Sequence, residues 1–153
     1  MKYNKVYEEE GNFSDYQKYL NTIREKLTDN IFDFVSNPNR HDFSEMSLHD
    51  SWVKSVECIC DFKKENTNIV LTLIGANFDR EFKFCFQEVS QYKVSQQLSD
   101  MYRDLITYEI GIEKDHNDEE KLIFRAMFSG EETEIEIYSQ KVEIEEKILE
   151  ENK

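Results

Sequence analysis

The sequence predicts an α+β fold in which a long N-terminal helix packs on an antiparallel sheet of about six strands. Apolar residues recur every three or four positions before the only proline, Pro38, and every second position after Ser51. Short polar stretches separate the later apolar runs, which is typical of antiparallel hairpins. The apolar face of such a sheet needs a cover, and the amphipathic helix can supply one.

The predicted helix spans residues 15–35. Ser14 and Gln17 have the spacing of a capping box at its start, and Pro38 disfavours helix in the residue before it. Residues 37–50 are therefore expected to form a loop. The apolar stripe of the helix consists of Tyr16, Leu20, Ile23, Leu27, Ile31 and Phe34.

Residues 51–144 are expected to form mainly antiparallel sheet, interrupted by a short helix near 95–102. Residues 146–153 are expected to fray, with one terminal helix turn as the alternative. No linker or repeat divides the chain, so residues 1–153 are predicted to be a single domain. The clearest strand is a row of phenylalanines that alternate with polar residues: Phe78, Phe82, Phe84 and Phe86.

Composition limits the classes of partner. The chain has 153 residues, of which 13% are aromatic, and this content argues against disorder. Thirty-three acidic residues against nineteen basic ones give a net charge of −14. That charge repels phosphate backbones, so we expect no nucleic acid as partner. It would attract a basic protein, although plain solubility explains an acidic surface equally well.

The sequence also predicts a cytoplasmic protein. No apolar run of a signal peptide follows Met1, and no stretch approaches the roughly eighteen apolar residues of a membrane span. The three cysteines, Cys58, Cys60 and Cys85, are odd in number and contain no C-x-x-C spacing. We expect them to be small core residues. No cofactor is predicted, because no phosphate-binding glycine loop is present.

Two His-Asp pairs flank the predicted loop, and they have two interpretations. In the favoured one His49 and Asp50 form a structural corner: Asp50 accepts backbone amides at the first strand, and His49 packs under Trp52 or hydrogen-bonds across the sheet. In the other, His41, His49 and Asp50 bind a metal ion, as imidazole and carboxylate groups can. No serine lies in a glycine-flanked elbow, so no catalytic residue is assigned.

Four glutamates are candidate binding residues. Glu134 and Glu136 alternate with isoleucines, so we expect both on the face away from the core, and Glu109 and Glu113 on the same outer face of a nearby strand. Such a surface would raise the association rate with a basic partner. In the alternative interpretation it is an ordinary solvent-exposed sheet face without a binding role. Replacing Glu134 and Glu136 together by lysine is expected to leave the fold intact.

The short motif before the sheet, formed by Leu48, His49, Asp50, Ser51 and Val53, resembles a motif in a group of small bacterial proteins of unknown function. Similar meanders opened by a His-Asp pair occur among immunity-like proteins that accompany polymorphic toxins. The resemblance implies the fold class and a bacterial cytoplasm, and it supplies no catalytic residues.

The favoured function is a non-enzymatic cytoplasmic protein-binding module. One form would be an acidic immunity-type protein that binds a basic toxin or another basic partner. The alternatives are a small metal-dependent hydrolase that uses His49 and Asp50, and a soluble domain whose role the sequence does not reveal. The sequence leaves the oligomeric state open.

Overall fold

The computed structural model describes residues 1–95, 104–130 and 133–150. Two short helices come first, and six strands follow. Among the described residues, no helix is long and apolar enough to cross a membrane. The elements are α1 (Phe13–Thr22), α2 (Asp29–Ser36), β1 (Trp52–Asp61), β2 (Asn66–Ile74), β3 (Arg80–Ser95), β4 (Leu105–Lys114), β5 (Glu120–Phe128) and β6 (Glu134–Ile148).

All six strands form one antiparallel sheet in the order β1-β2-β3-β6-β5-β4. The central strands β3 and β6 are the longest, with 16 and 15 residues. The first half of β3 pairs with β2, and the first half of β6 pairs with β5. A bulge between Val89 and Gln91 bends β3 just beyond its pairing with β2, next to Glu88 at φ 52°.

The phenylalanine row of β3 lies in the core, as its alternation predicts. Phe82, Phe84 and Phe86 are buried. Phe34 of α2 meets Phe82 and Phe84 edge-on, with ring centroids 6.1 and 6.2 Å apart. The helices therefore pack on the face of the sheet that carries this row. Phe78 does not belong to the row, because it lies in the β2–β3 turn at φ 57° and is 58% exposed.

The predicted long helix over residues 15–35 is wrong, so the predicted fold class is wrong in its helical half. Two short helices stand in its place, joined by a 3₁₀ turn. Leu27 is extended, at φ −110° and ψ 143°, and Thr28 begins α2 by accepting the N–H of Ile31. The predicted cap is also displaced: the N-cap of α1 is Asn12.

The chain bends between α1 and α2 because the two ends of the apolar stripe pack on different strands. The hydroxyl of Tyr16 binds Ile110 on the edge strand β4, whereas Phe34 packs on β3. Because β5 and β6 lie between those strands, the chain turns so that both ends reach the sheet. The stripe itself is buried as predicted, with exposures of 9% or less at Tyr16, Leu20, Ile23, Leu27, Ile31 and Phe34.

The C-terminal prediction also changes. Residues 146–148, expected to fray or to form a helix turn, continue β6, and Glu146 pairs with Phe82 in the sheet. The last residues of the predicted tail, 151–153, lie outside the described part of the chain. The helix predicted near 95–102 falls almost entirely on residues that are not described, and Ser95 itself ends β3.

Side chains of α1 cover the outer edge of β4. The Tyr16 hydroxyl accepts the Ile110 N–H and donates to the Ile110 carbonyl, each at 2.8 Å. The Tyr19 hydroxyl accepts the Ile112 N–H at 3.0 Å. An uncovered edge strand offers a row of unpaired backbone groups to other chains. The two tyrosines satisfy these groups, so α1 closes this edge of the sheet.

Candidate functional site

The N-terminal segment, residues 1–11, is fastened to the sheet by the buried carboxylate of Glu109. Three consecutive backbone N–H groups donate to this carboxylate, from Lys2 (2.9 Å), Tyr3 (2.6 Å) and Asn4 (2.9 Å). The Tyr3 ring crosses Gly111, where an added Cβ would lie 2.6 Å from the ring. Only glycine leaves room for this crossing. The segment is therefore positioned by β4.

Arg125 on β5 forms ion pairs with three of the four glutamates predicted to form an acidic surface. Its Nε lies 2.9 Å from Glu136 and its Nη1 lies 3.3 Å from Glu109, while Nη2 binds Glu113. Glu109 is fully buried and the Glu113 side chain is 11% exposed. The structure thus brings these three residues together around a cation, and they do not form the expected exposed acidic face.

The pKa of Glu113 reflects this arrangement. Burial raises the pKa of its carboxyl, but hydrogen bonds from Arg125 and Lys2 outweigh burial and hold the pKa at about 2. Glu134, the fourth predicted glutamate, is half-exposed and pairs with Lys93 at 2.9 Å. Glu113 is therefore a charged member of the Arg125 cluster near pH 7, and Glu134 lies at its border.

His41 is a buried structural histidine. Its Nε2 lies 2.8 Å from the Val35 carbonyl, and its Nδ1 lies 3.2 Å from the side-chain nitrogen of Asn4. These partners assign the proton to Nε2. The ring stacks on Tyr108 with centroids 4.4 Å apart and planes 8° apart. Burial lowers the pKa of His41 to about 4, so the ring is neutral near pH 7.

His49 and Asp50 lie at a corner that is held by the backbone. Asp50 has φ 63°, and its N–H donates to the Leu105 carbonyl at 2.8 Å. The Leu105 N–H in turn donates to the Ser51 carbonyl at 3.0 Å. The carboxylate of Asp50 does not accept the expected backbone amides: it is half-exposed and lies 3.2 Å from His49 Nδ1. The corner therefore joins the loop to the start of β4.

The structure does not arrange His41, His49 and Asp50 as metal ligands. Both ring nitrogens of His41 already have partners. In the part of the chain that the structure describes, no group of three His, Cys, Asp or Glu side chains could hold a metal ion. This geometry gives the metal-dependent hydrolase no specific support.

His49 packs between two aromatic rings and does not lie under Trp52. Its ring centroid is 5.1 Å from Tyr7 and 4.6 Å from Phe43. Tyr7 also donates from its hydroxyl to the His41 carbonyl at 2.6 Å. The N-terminal segment, the loop and the corner therefore meet in one aromatic cluster, formed by Tyr7, Phe43 and His49.

Phe43 lines two different cavities of this cluster. The ring is 79% exposed, so a ligand could cover most of it. The first cavity, of about 240 Å³, is mainly apolar and is lined by Val6, Tyr7, Phe13, Pro38, His41, Asp42 and Phe43. The second cavity, of about 200 Å³, is polar and is lined by Phe43, Ser44, Glu45, Ser47, His49, Asp50, Ala76 and Asn77.

The surroundings of the cluster are negatively charged. Burial raises the pKa of Tyr7, and the Asp42 and Asp50 carboxylates raise it further. Both carboxylates therefore lie close enough to act on the same hydroxyl. No lysine or arginine of the described ranges forms an ion pair with Asp42, Glu45 or Asp50. This negative charge is thus available to a ligand, unlike the charge around Arg125.

The expectation that the cysteines are core residues is wrong for all three. Cys58 and Cys60 are exposed on β1, and Cys85 is partly exposed on β3. The alternation of side chains places Cys58 and Cys60 on the same face of β1. That face lies at the edge of the sheet, beyond the helices, so its residues remain in contact with solvent.

Sequence reasoning missed Tyr7 and Phe43, the two aromatic residues of the cluster. Neither belongs to a helical or strand pattern, and both lie in segments that read as polar connections. One feature of the sequence could have identified Phe43. It directly follows the first His-Asp pair, in a predicted loop with few other apolar residues that could bury its ring. Function often lies in such loops.

No protein-family model matches this sequence, and no curated protein matches it. We therefore infer function from the geometry of the site.

Proposed function

We propose that this chain is a non-catalytic, cytoplasmic protein-binding module that captures a basic segment of another protein at Phe43. One observation carries the proposal: the exposed Phe43 ring lines an apolar cavity and an acidic cavity at once. A partner segment with an apolar side chain next to an arginine or lysine would suit both. An immunity-type protein that neutralises a basic toxin is one form of such a module.

The energetics of the site support this kind of ligand. Binding energy in interfaces concentrates in aromatic anchors that lose contact with water. An apolar side chain packed against the exposed faces of Tyr7 and Phe43 would cover both rings, whereas a guanidinium beside Phe43 would combine a cation–π contact with the charge of Asp50. The net charge of −14 adds long-range attraction, which mainly raises the association rate.

The site also has a rigid support. Tyr7 is positioned by its bond to the His41 carbonyl, and the N-terminal segment is held by Glu109. Phe43 lies in the loop that pairs with β4 through Asp50. A preformed site of this kind loses less entropy when it binds, which strengthens binding.

The test uses a synthetic peptide in which one leucine is flanked by arginines, titrated into the protein by calorimetry. Two control peptides replace the leucine by alanine or the arginines by glutamates. We expect binding of the first peptide only, and affinity that falls as salt is added. Equal affinity for the leucine and alanine peptides would contradict a role for the apolar cavity.

Protein variants locate the site. Phe43→Ala is expected to weaken binding at least tenfold. Phe62→Ala is the matched control, because Phe62 is also largely exposed, at 91%, but follows the far end of β1. Asp42→Asn with Asp50→Asn should weaken binding and reduce its salt dependence. Equal losses in the Phe43 and Phe62 variants would overturn the proposed site.

A further inference from the structure

The two edge strands of the sheet, β4 and β1, differ in whether their outer backbone groups are covered. The β4 edge is closed by the hydroxyls of Tyr16 and Tyr19 and by the corner residues Asp50 and Ser51. β1 forms the other edge and pairs only with β2. Within the described ranges, no backbone or side-chain group covers the outer backbone edge of β1 from Ser55 to Asp61. A free edge of this kind is a template for another strand.

β1 also carries the side chains of a strand that pairs. Val56 is 37% exposed and Ile59 47% exposed, and Cys58 and Cys60 are exposed as well. Edge strands that must stay monomeric are commonly protected by lysine, proline or a bulge. In β1 both the only bulge and the only lysine, Lys54, lie between Val53 and Ser55. The remaining seven residues, 55–61, run without interruption to the end of the strand.

We propose that two copies of this chain pair through β1, antiparallel, about a twofold axis at Cys58. The two six-stranded sheets then form one continuous sheet. Such an axis runs perpendicular to the sheet, so the two side chains of an opposite pair point to the same face of the sheet. The two residue numbers of each pair therefore add up to an even number. Cys58 is the middle residue of 55–61. With the axis there, all seven of these residues pair with the same seven residues of the second copy.

Charge selects the same register. With the axis at Cys58, Glu57 lies opposite Ile59 of the second copy, and Ser55 opposite Asp61. An axis at Glu57 would place two glutamates opposite each other, and an axis at Ile59 would oppose Glu57 and Asp61. Like charges directly opposite destabilise a strand pair. An axis at Val56 would extend the pairing into the bulge, and an axis at Cys60 would pair only residues 59–61 of the strand, so Cys58 remains the favoured centre.

The occupant is a second copy because β1 together with the turn after it, residues 52–65, has no net charge in an acidic protein. Lys54, Lys63 and Lys64 balance Glu57, Asp61 and Glu65 in residues 52–65, whereas the whole chain carries −14. A basic partner would find little charge to attract it here. Two copies can approach at this edge with less local repulsion than elsewhere. This inference is independent of the proposed function.

The first test measures mass by light scattering at concentrations from micromolar to millimolar, at low and high salt. We expect a shift from 18.4 kDa towards twice that mass as concentration rises. Added salt should favour the dimer, because it screens repulsion between two acidic copies. This is opposite to the effect of salt on a basic peptide at Phe43, so the two proposals can fail separately. A constant 18.4 kDa throughout would overturn this one.

The second test maps the register with single-cysteine variants and diamide, which takes up the two thiol hydrogens as a disulfide forms. Opposite residues of an antiparallel pair have Cα atoms about 4.5–5.5 Å apart, within the range of about 4.4–6.8 Å for a disulfide. A variant that keeps only Cys58 should give a covalent dimer rapidly. Variants that keep only Cys60 or only Cys85 should form it at the slow rate of random collision.

A designed pair provides the positive control. Val56 lies opposite Cys60 of the second copy in this register. Val56→Cys, combined with Cys58→Ser and Cys85→Ser, should therefore restore rapid dimerisation through Cys60. Faster cross-linking of the Cys60-only variant than of the Cys58-only variant would overturn the register and the proposal with it. Thermal unfolding of each variant establishes that the fold is retained.

Discussion

The buried carboxylate of Glu109 accepts the backbone N–H of Asn4 at 2.9 Å, across 105 positions of the chain. The Asn4 side chain continues the connection, because its nitrogen donates to the Tyr108 carbonyl and lies 3.2 Å from His41. A buried charge on the sheet thus fixes the N-terminal segment, the segment fixes the loop through His41, and the loop presents Phe43. The exposed aromatic cluster depends on contacts that lie beneath it.

Glu109→Gln tests this connection. The amide cannot replace a carboxylate that accepts three N–H groups and an arginine contact, because half of it is a donor. We expect a loss of about 1–3 kcal/mol in the free energy of unfolding, since buried donors are left without partners. Urea denaturation measures the loss, and hydrogen exchange at residues 2–4 should accelerate. Glu120→Gln, on an exposed ion pair with Lys26, should change stability little.

His41 makes stability depend on pH. Its pKa is about 4 in the folded state and 6.5 in the unfolded chain, so between these values the unfolded state binds more protons. Folding is therefore weakened as pH falls from about 6.5 to about 4, by about 3 kcal/mol in total. His41→Gln, which can still donate to Val35, should flatten this part of the curve. Parallel curves for the wild type and the variant would contradict the assignment.

Tyr16→Phe tests the closure of the β4 edge. The change removes a hydroxyl that serves both the N–H and the carbonyl of Ile110, and it adds no bulk. We expect a loss of about 1–3 kcal/mol, because both groups are buried. Hydrogen exchange at Ile110 should be faster. Tyr92→Phe is the control, since the Tyr92 ring is half-exposed and its hydroxyl contacts the exposed Cys58 thiol, and a surface change of this kind costs less than about 0.5 kcal/mol.

Glu136→Lys and Glu134→Lys separate the two glutamates that the sequence treated alike. Glu136 accepts from Arg125 at 2.9 Å, so a lysine there would place two cations side by side. We expect this variant to lose about 1–3 kcal/mol of stability. Glu134 is half-exposed, and its replacement should cost less than about 0.5 kcal/mol. Equal effects in thermal unfolding would mean that the Arg125 cluster does not stabilise the fold.

Local patterns account for what the sequence determined by itself. The alternation around Phe82, Phe84 and Phe86 predicted a half-buried strand, and the spacing from Tyr16 to Phe34 predicted which residues are buried. Both follow from side-chain periodicity, which needs no knowledge of distant contacts. The acidic net charge and the antiparallel arrangement of the strands were equally visible.

Only the tertiary structure decided where the helical stripe bends, because the bend depends on the separation of β3 and β4. It also decided the state of each charge. Glu109 and Glu134 look alike in an alternating sequence, but Arg125 and the N-terminal amides surround Glu109, whereas Glu134 is half-exposed beside Lys93. Phe43 had no periodic signal. Its role arises from Tyr7, His49 and the loop, which are distant along the chain and adjacent only once the N-terminal segment is fastened to β4.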